Sequence, residues 1–175
     1  MSFKDVNVKH SKIFSDVLIF QPSVNFDNRG SIFTTFNKEL YAAHLPDELE
    51  FMHDKFAESQ HNVLRGLHGD NKTWKLVTCI SGSIYQVVAD MRPESPTYQK
   101  WDSWVINDDN KLQILVPPNF VNGYYVLSDK AVFHYKLAYA GDYIDAEEQK
   151  VVKWDDPKLS IDWPCTDPIL QKRDQ

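Results

Sequence analysis

The sequence predicts an all-β protein: an antiparallel sandwich or barrel of jelly-roll type, with one or two short helices. Three observations predict it. Strand signals dominate the chain, turn chemistry separates them at short intervals, and a single segment reads as a helix. The strand segments are DVLIF (16–20), GSIFTTF (30–36), KLVTCI (75–80), SIYQVVAD (83–90), KLQILVP (111–117), GYYVLS (123–128) and AVFHYKLA (131–138), all rich in β-branched and aromatic residues. KWDSWVIND (100–108) mixes polar and apolar residues on both faces. SGS (81–83), RPESP (92–96), NDDNK (107–111) and SDK (128–130) supply the turns. The helical segment is NKELYAAHLPDEL (37–49), with Asn37 as its N-cap and Pro46 as an interruption or stop.

A chain of 175 residues is long enough for one domain with a sizeable core, and residues 1–175 are read as that single domain. The composition, 42% hydrophobic and 25% charged, is that of a soluble globular protein. A net charge of −6 argues against a broad nucleic-acid surface and leaves room for a local basic pocket. No apolar run approaches the roughly 18 residues that span a membrane. The start, MSFKDVNVKH, has no apolar signal core, so the expected location is the cytoplasm. Cys79 and Cys165 stand far apart without metal-ligand spacing and are read as free thiols, Cys79 buried.

The chemistry concentrates in VLRGLHGDNKTWKLV (63–77), which sets Arg65, His68 and Lys75 between two apolar runs. An ordinary core strand buries neither Arg nor Lys. These residues lie either on a solvated edge or in a polar cavity, and a cupin-type jelly roll has a mouth wide enough for a small ligand. His68 reads as a base or as a hydrogen-bonded structural group. Arg65 and Lys75 add charge suited to an anionic ligand or an enolate. Strict alternation would put Arg65 and Leu67, not Arg65 and His68, on one face, so a shared cavity requires a bend at Gly66. A metal site of His-x-His type is not expected: Asp70 stands two residues after His68, and His10, His44, His53, His61 and His134 show no such pairing. Read locally, Tyr135 is a cross-strand aromatic and Arg29 a surface residue in a turn.

Taken in order, DNRGSIF, NVLRGLH, KLVTCISGSIYQVVADMR, SPTYQKW, LVPPNFVNGYYVLSD, FHYKLAY, KWDDPKLSIDWP and PILQKRD resemble the nucleotide-sugar 3,5-epimerases, the dTDP-4-dehydrorhamnose 3,5-epimerase family, over nearly the whole chain. The resemblance implies a cupin jelly roll, a homodimer, and no metal or other cofactor. It implies roles as well: His68 as base, Asp174 as its carboxylate partner, Lys75 beside the substrate's C4 oxygen, and Tyr135 as proton donor on the opposite face of the sugar. Arg65 and Arg29 match pyrophosphate contacts, Arg29 reaching across the dimer. Asn122, Ser59 and Asp54 are carried as further substrate contacts.

Three departures surround the substrate. Asn122-Gly123 stands where His-Gly is usual, GDNKTW after the base is short, and DKFA (54–57) replaces DNHS. With HDKF and YKLAYAGDYIDA they make the chain more similar to the branch acting on GDP-linked 4-keto-heptoses in bacterial capsule synthesis. The expected partner is therefore a nucleotide-linked 4-keto sugar, GDP-linked by preference, inverted at C3 or at C3 and C5. A dTDP-4-keto-6-deoxyhexose substrate and a non-catalytic sugar-nucleotide-binding cupin are the alternatives.

Overall fold

The computed structural model describes residues 6–175. Two antiparallel sheets enclose the core. The larger runs in the order β1 (Val6–His10), β2 (Leu18–Pro22), β10 (Gln113–Val116), β7 (Trp74–Ser81), β12 (Lys130–Ala138) and β5 (Phe51–Gln60). The smaller runs β13 (Lys150–Val151), β6 (Leu64–Gly69), β11 (Phe120–Val126), β8 (Ser83–Asp90) and β9 (Trp101–Asn107). A hairpin of β3 (Val24–Asp27) and β4 (Gly30–Phe33) forms its own two-stranded sheet. Neighbours in each sheet are mostly distant in sequence, the signature of a jelly roll. Among the described residues no helix is long and apolar enough to cross a membrane.

Val77, Ile114 and Phe133 of the larger sheet pack against Ile84, Val88 and Ile106 of the smaller. The outer face of the smaller sheet is also covered. Val152, Leu159 and Trp163 from the C-terminal segment pack on Leu64, Leu67, Val87 and Val121. The helix α1 (Lys38–Ala42) and the turn after it lay Tyr41 and Leu45 on Phe20, Leu76 and Leu115 of the larger sheet. Central strands are thus buried on both faces. This is why β10 and β11 are apolar at most positions on both faces, with Gln113 and Asn122 as buried polar exceptions.

The helix is shorter than the expected 37–49. Asn37 does cap it, its side chain accepting from the Leu40 N–H at 3.2 Å. It stops at Ala42 because the ring of Pro46 would collide with the Ala42 carbonyl and disfavours helical backbone at Leu45. The strand expected over 30–36 ends at Phe33. Phe51–Gln60 is a strand that the sequence pattern does not announce.

One irregularity positions the site. In the pairing of β6 with β11, His68 lies opposite Asn122 and Arg65 opposite Tyr124. Three steps along β6 therefore match two along β11. This bulge shifts the alternation by one residue and turns Arg65 and His68 to the same face. It supplies the bend required at Gly66. Gly66 has φ +122°, and a Cβ there would lie 2.5 Å from the Gly123 Cα. Gly66→Ala should therefore cost at least about 2 kcal/mol, a fall in Tm of about 4–8 °C. Gly30→Ala is the control for calorimetry, since Gly30 has φ +124° with nothing within 4 Å of the added carbon. Equal losses for the two variants would refute the close-approach argument.

Candidate active site

A cavity of about 270 Å³ opens between the sheets. Inward-facing residues of the larger sheet form one wall, with Lys55 on β5, Lys75 on β7 and Tyr135 on β12. The other wall carries Arg65 and His68 of β6 and Asn122 of β11. Tyr143, Gln171 and Arg173 close part of the rim. Among the described residues the lining includes the cations Lys55, Arg65, Lys75 and Arg173 and no Asp or Glu. A site of this charge favours a ligand with several negative oxygens.

His68 Nε2 lies 2.6 Å from Asp174 Oδ1. Asp174 has no solvent exposure. Burial alone would raise its carboxyl, but hydrogen bonds from His68, Gln171 and the Gly66 N–H hold it below the usual carboxylate range. An ionised Asp174 accepts Nε2–H and leaves the imidazole lone pair on Nδ1, which is what a base requires. Asp174 comes from 106 residues away in sequence. It sits in a 3-10 turn, Lys172–Asp174. The chain before the turn is fastened beside β6 by Ile169 N–H to Asn62 O at 2.7 Å and Leu64 N–H to Ile169 O at 3.1 Å.

Lys75 is buried, and its ammonium donates to two neutral oxygens, His68 O and Asn122 Oδ1, each at 3.0 Å. Burial lowers its pKa to about 8, and Arg173 pushes it the same way against the pull of Asp70. Such an ammonium is poised beside the base to meet developing negative charge. Tyr135 stands on the wall of the larger sheet, and burial raises its phenol above the ordinary range. Base and phenol therefore approach a cavity ligand from different walls.

The structure brings His68, Asp174, Lys75, Asn122, Arg65 and Tyr135 together. Ser59 lies behind the lining: its hydroxyl accepts from Arg65 Nε at 3.0 Å and meets Tyr124 Oη at 3.2 Å, so it holds the guanidinium in place. Asp54 is a correction. Alternation along β5 turns it to the outer face, where it bonds His134 Nε2 at 2.8 Å and Lys136 Nζ at 2.7 Å, away from the cavity. Arg29 lies outside the cavity too, on the β3–β4 hairpin, 85% exposed and paired with Asp27. Sequence reasoning misses Lys55, Tyr143, Gln171 and Arg173. Period-two alternation around Lys55 is a usable signal for the first. Nothing local marks the others, because loop and terminal turn reach the cavity by tertiary packing alone. Among the described residues no group of three or more His, Cys, Asp or Glu side chains is placed to hold a metal ion. Cys79 and Cys165 are free.

The sequence model for dTDP-4-dehydrorhamnose 3,5-epimerase matches residues 11–175. The dTDP-4-dehydrorhamnose 3,5-epimerase of Escherichia coli K12 is 37% identical over 168 residues, covering 94% of this chain and 89% of that one. Among solved structures, the dTDP-6-deoxy-D-glucose-3,5-epimerase of Legionella pneumophila, in complex with dTDP-4-keto-L-rhamnose, superposes with a TM-score of 0.88 at 33% identity, covering 97% of this chain and 90% of that chain. The dTDP-4-dehydrorhamnose 3,5-epimerase of Bacillus anthracis, with TDP and pyrophosphate bound, has a TM-score of 0.88 at 30% identity and covers 97% of each chain. The jelly roll and the cavity chemistry thus meet an extensive sequence match, and the chain belongs to the dTDP-4-dehydrorhamnose 3,5-epimerase family, carbohydrate epimerases of the isomerase class.

Proposed function

We propose that the protein inverts C3 and C5 of a dTDP-linked 4-keto-6-deoxyhexose. The observation that carries this is the His68–Asp174 pair with the Lys75 ammonium beside it, facing Tyr135 across one cation-lined cavity. A C4 ketone acidifies the hydrogens on C3 and C5, because the resulting carbanion delocalises onto oxygen. His68 removes the proton, Lys75 stabilises the enolate oxygen, and Tyr135 returns a proton from the other wall, which inverts the carbon. Arg65 takes pyrophosphate oxygens. Arg29 serves a second copy of the chain, in a homodimer whose contact includes the exposed Phe26 and Ile32 of its hairpin.

The relatives named above act on, or are solved with, dTDP compounds. This reverses the preference for GDP that the sequence suggested. A GDP-4-keto-heptose remains the second reading, favoured by Asn122, the short GDNKTW segment and DKFA, none of which carries the proton chemistry. The test is incubation of each 4-keto sugar in deuterated water with chelator present, followed by NMR at C3 and C5. Deuterium at both carbons with inversion, and a higher kcat/KM for the dTDP-hexose, is expected. Incorporation at C3 alone, or faster turnover of the GDP-heptose, would overturn the substrate assignment. Turnover that needs one divalent ion would overturn the metal-free chemistry.

A further inference from the structure

Lys55 is a cavity cation that the reaction above leaves without a task. We propose that Lys55 is a positioning residue for the proton donor: its ammonium holds the negative charge left on Tyr135 when that phenol gives up its proton. The proposal rests on Tyr135 being the donor. Lys55 and Tyr135 are direct partners in the β5–β12 register, so their side chains share a face, and both line the cavity. Direct cross-strand partners have Cβ atoms about 4.5–5.5 Å apart, within reach for a lysine.

The same strand pair shows the contrast that matters. On the outer face, Lys136 is neutralised by Asp54. On the inner face, Lys55 donates to the neutral Tyr143 hydroxyl at 2.8 Å and lies 4.3 Å from that ring's centroid, with no carboxylate paired to it among the described residues. Asp145 acts on Lys55 at longer range without pairing to it, so the ammonium at this partly buried wall is available to an anion that forms there. The groups that act on Tyr135 are Lys55 from β5, Tyr143 from the loop after β12, Arg65 from β6 and Arg173 from the terminal turn, and Lys55 is the strongest pull against the effect of burial.

The step balances as a transfer of charge between two lysines. The Tyr135 O–H bond breaks as the new C–H bond forms, and the enolate electron pair returns to carbon as the C4 carbonyl re-forms. The negative charge passes from the oxygen beside Lys75 to the oxygen beside Lys55. Proton exchange with water then resets Tyr135 and His68.

The test needs no substrate. Protein labelled with [13Cζ]tyrosine is titrated by NMR, the Tyr135 signal being assigned with Tyr135→Phe. In Lys55→Met the Tyr135 titration should move up by about one pH unit or more, and Lys55→Arg should restore it. Lys55→Gln, which keeps a donor for Tyr143, should show the same upward shift and serves if the Met variant does not fold. Tyr135 titrating at an unchanged pH in either neutral variant overturns the proposal. With the 4-keto sugar in deuterated water, Lys55→Met should lower kcat for inversion about tenfold or more at unchanged KM, while exchange with retention persists. Absence of turnover by the unaltered protein would sink the substrate reading and leave the titration result standing.

Discussion

His68→Asn should reduce kcat/KM by about 10²–10⁴-fold, the usual worth of a general base, and should end solvent deuterium incorporation at the reacting carbons. The geometry makes this a clean substitution. The asparagine amide stands at the imidazole Nδ1 position, short of Asp174, but the buried carboxylate keeps the Gly66 N–H and the Gln171 amide as donors. Thermal unfolding should stay within a few degrees of the parent. Asp174→Asn should cause a smaller loss, because it removes the group that fixes the imidazole tautomer and leaves the imidazole itself. A folded His68→Asn protein that still exchanges its substrate's hydrogens at a near-normal rate would remove His68 from the role.

One ribbon of this site is legible locally in the amino-acid sequence, while the roles of its residues and the place of Tyr135 come from the resemblance. Arg65, His68 and Lys75 fall within one short ribbon, and their charge conflicts with the apolar runs around them. The central strands are legible because burial on both faces leaves apolar residues at most positions, as in β8 and β11, despite the buried polar Gln86 and Asn122. The edge strand β5 is not. Its burial alternates residue by residue, so half its side chains face outward, and Asp54, Phe56 and Glu58 obscure it. Losing that strand hides Lys55 and the alternation that turns Asp54 outward. The bulge at Gly66 shows in the sequence only as a requirement. Its source is the mutual approach of Gly66 and Gly123, a tertiary fact that neither segment states alone. The joining of Asp174 to His68 rests on resemblance, since no local pattern connects a terminal turn to a strand 106 residues earlier.

Lys75→Met should lower kcat by about 10²–10³-fold with little change in KM, the loss expected when one group that stabilises a developing oxyanion is removed. Its ammonium is bound only to neutral oxygens in a buried place, so its charge is not spent on a carboxylate. The pH profile tests the same claim. With the lysine's pKa lowered to about 8, the ammonium is present below that pH and is lost as pH rises through it. The kcat/KM of the parent should therefore fall on the alkaline side with a midpoint near 8, and the Met variant should lack that limb. Stability should move the other way. The unfolded lysine, near its ordinary value of 10.5, holds a proton that the folded one gives up between pH 8 and 10.5, so folding becomes more favourable as pH rises across that window. Below it, the buried charge costs roughly 3 kcal/mol. Methionine fills similar volume without the charge. At pH 7 the variant should be as stable as the parent or more so, with the difference shrinking toward pH 10.5. A Met variant that keeps its kcat, or that is destabilised at pH 7, would show that Lys75 serves the fold and not the enolate.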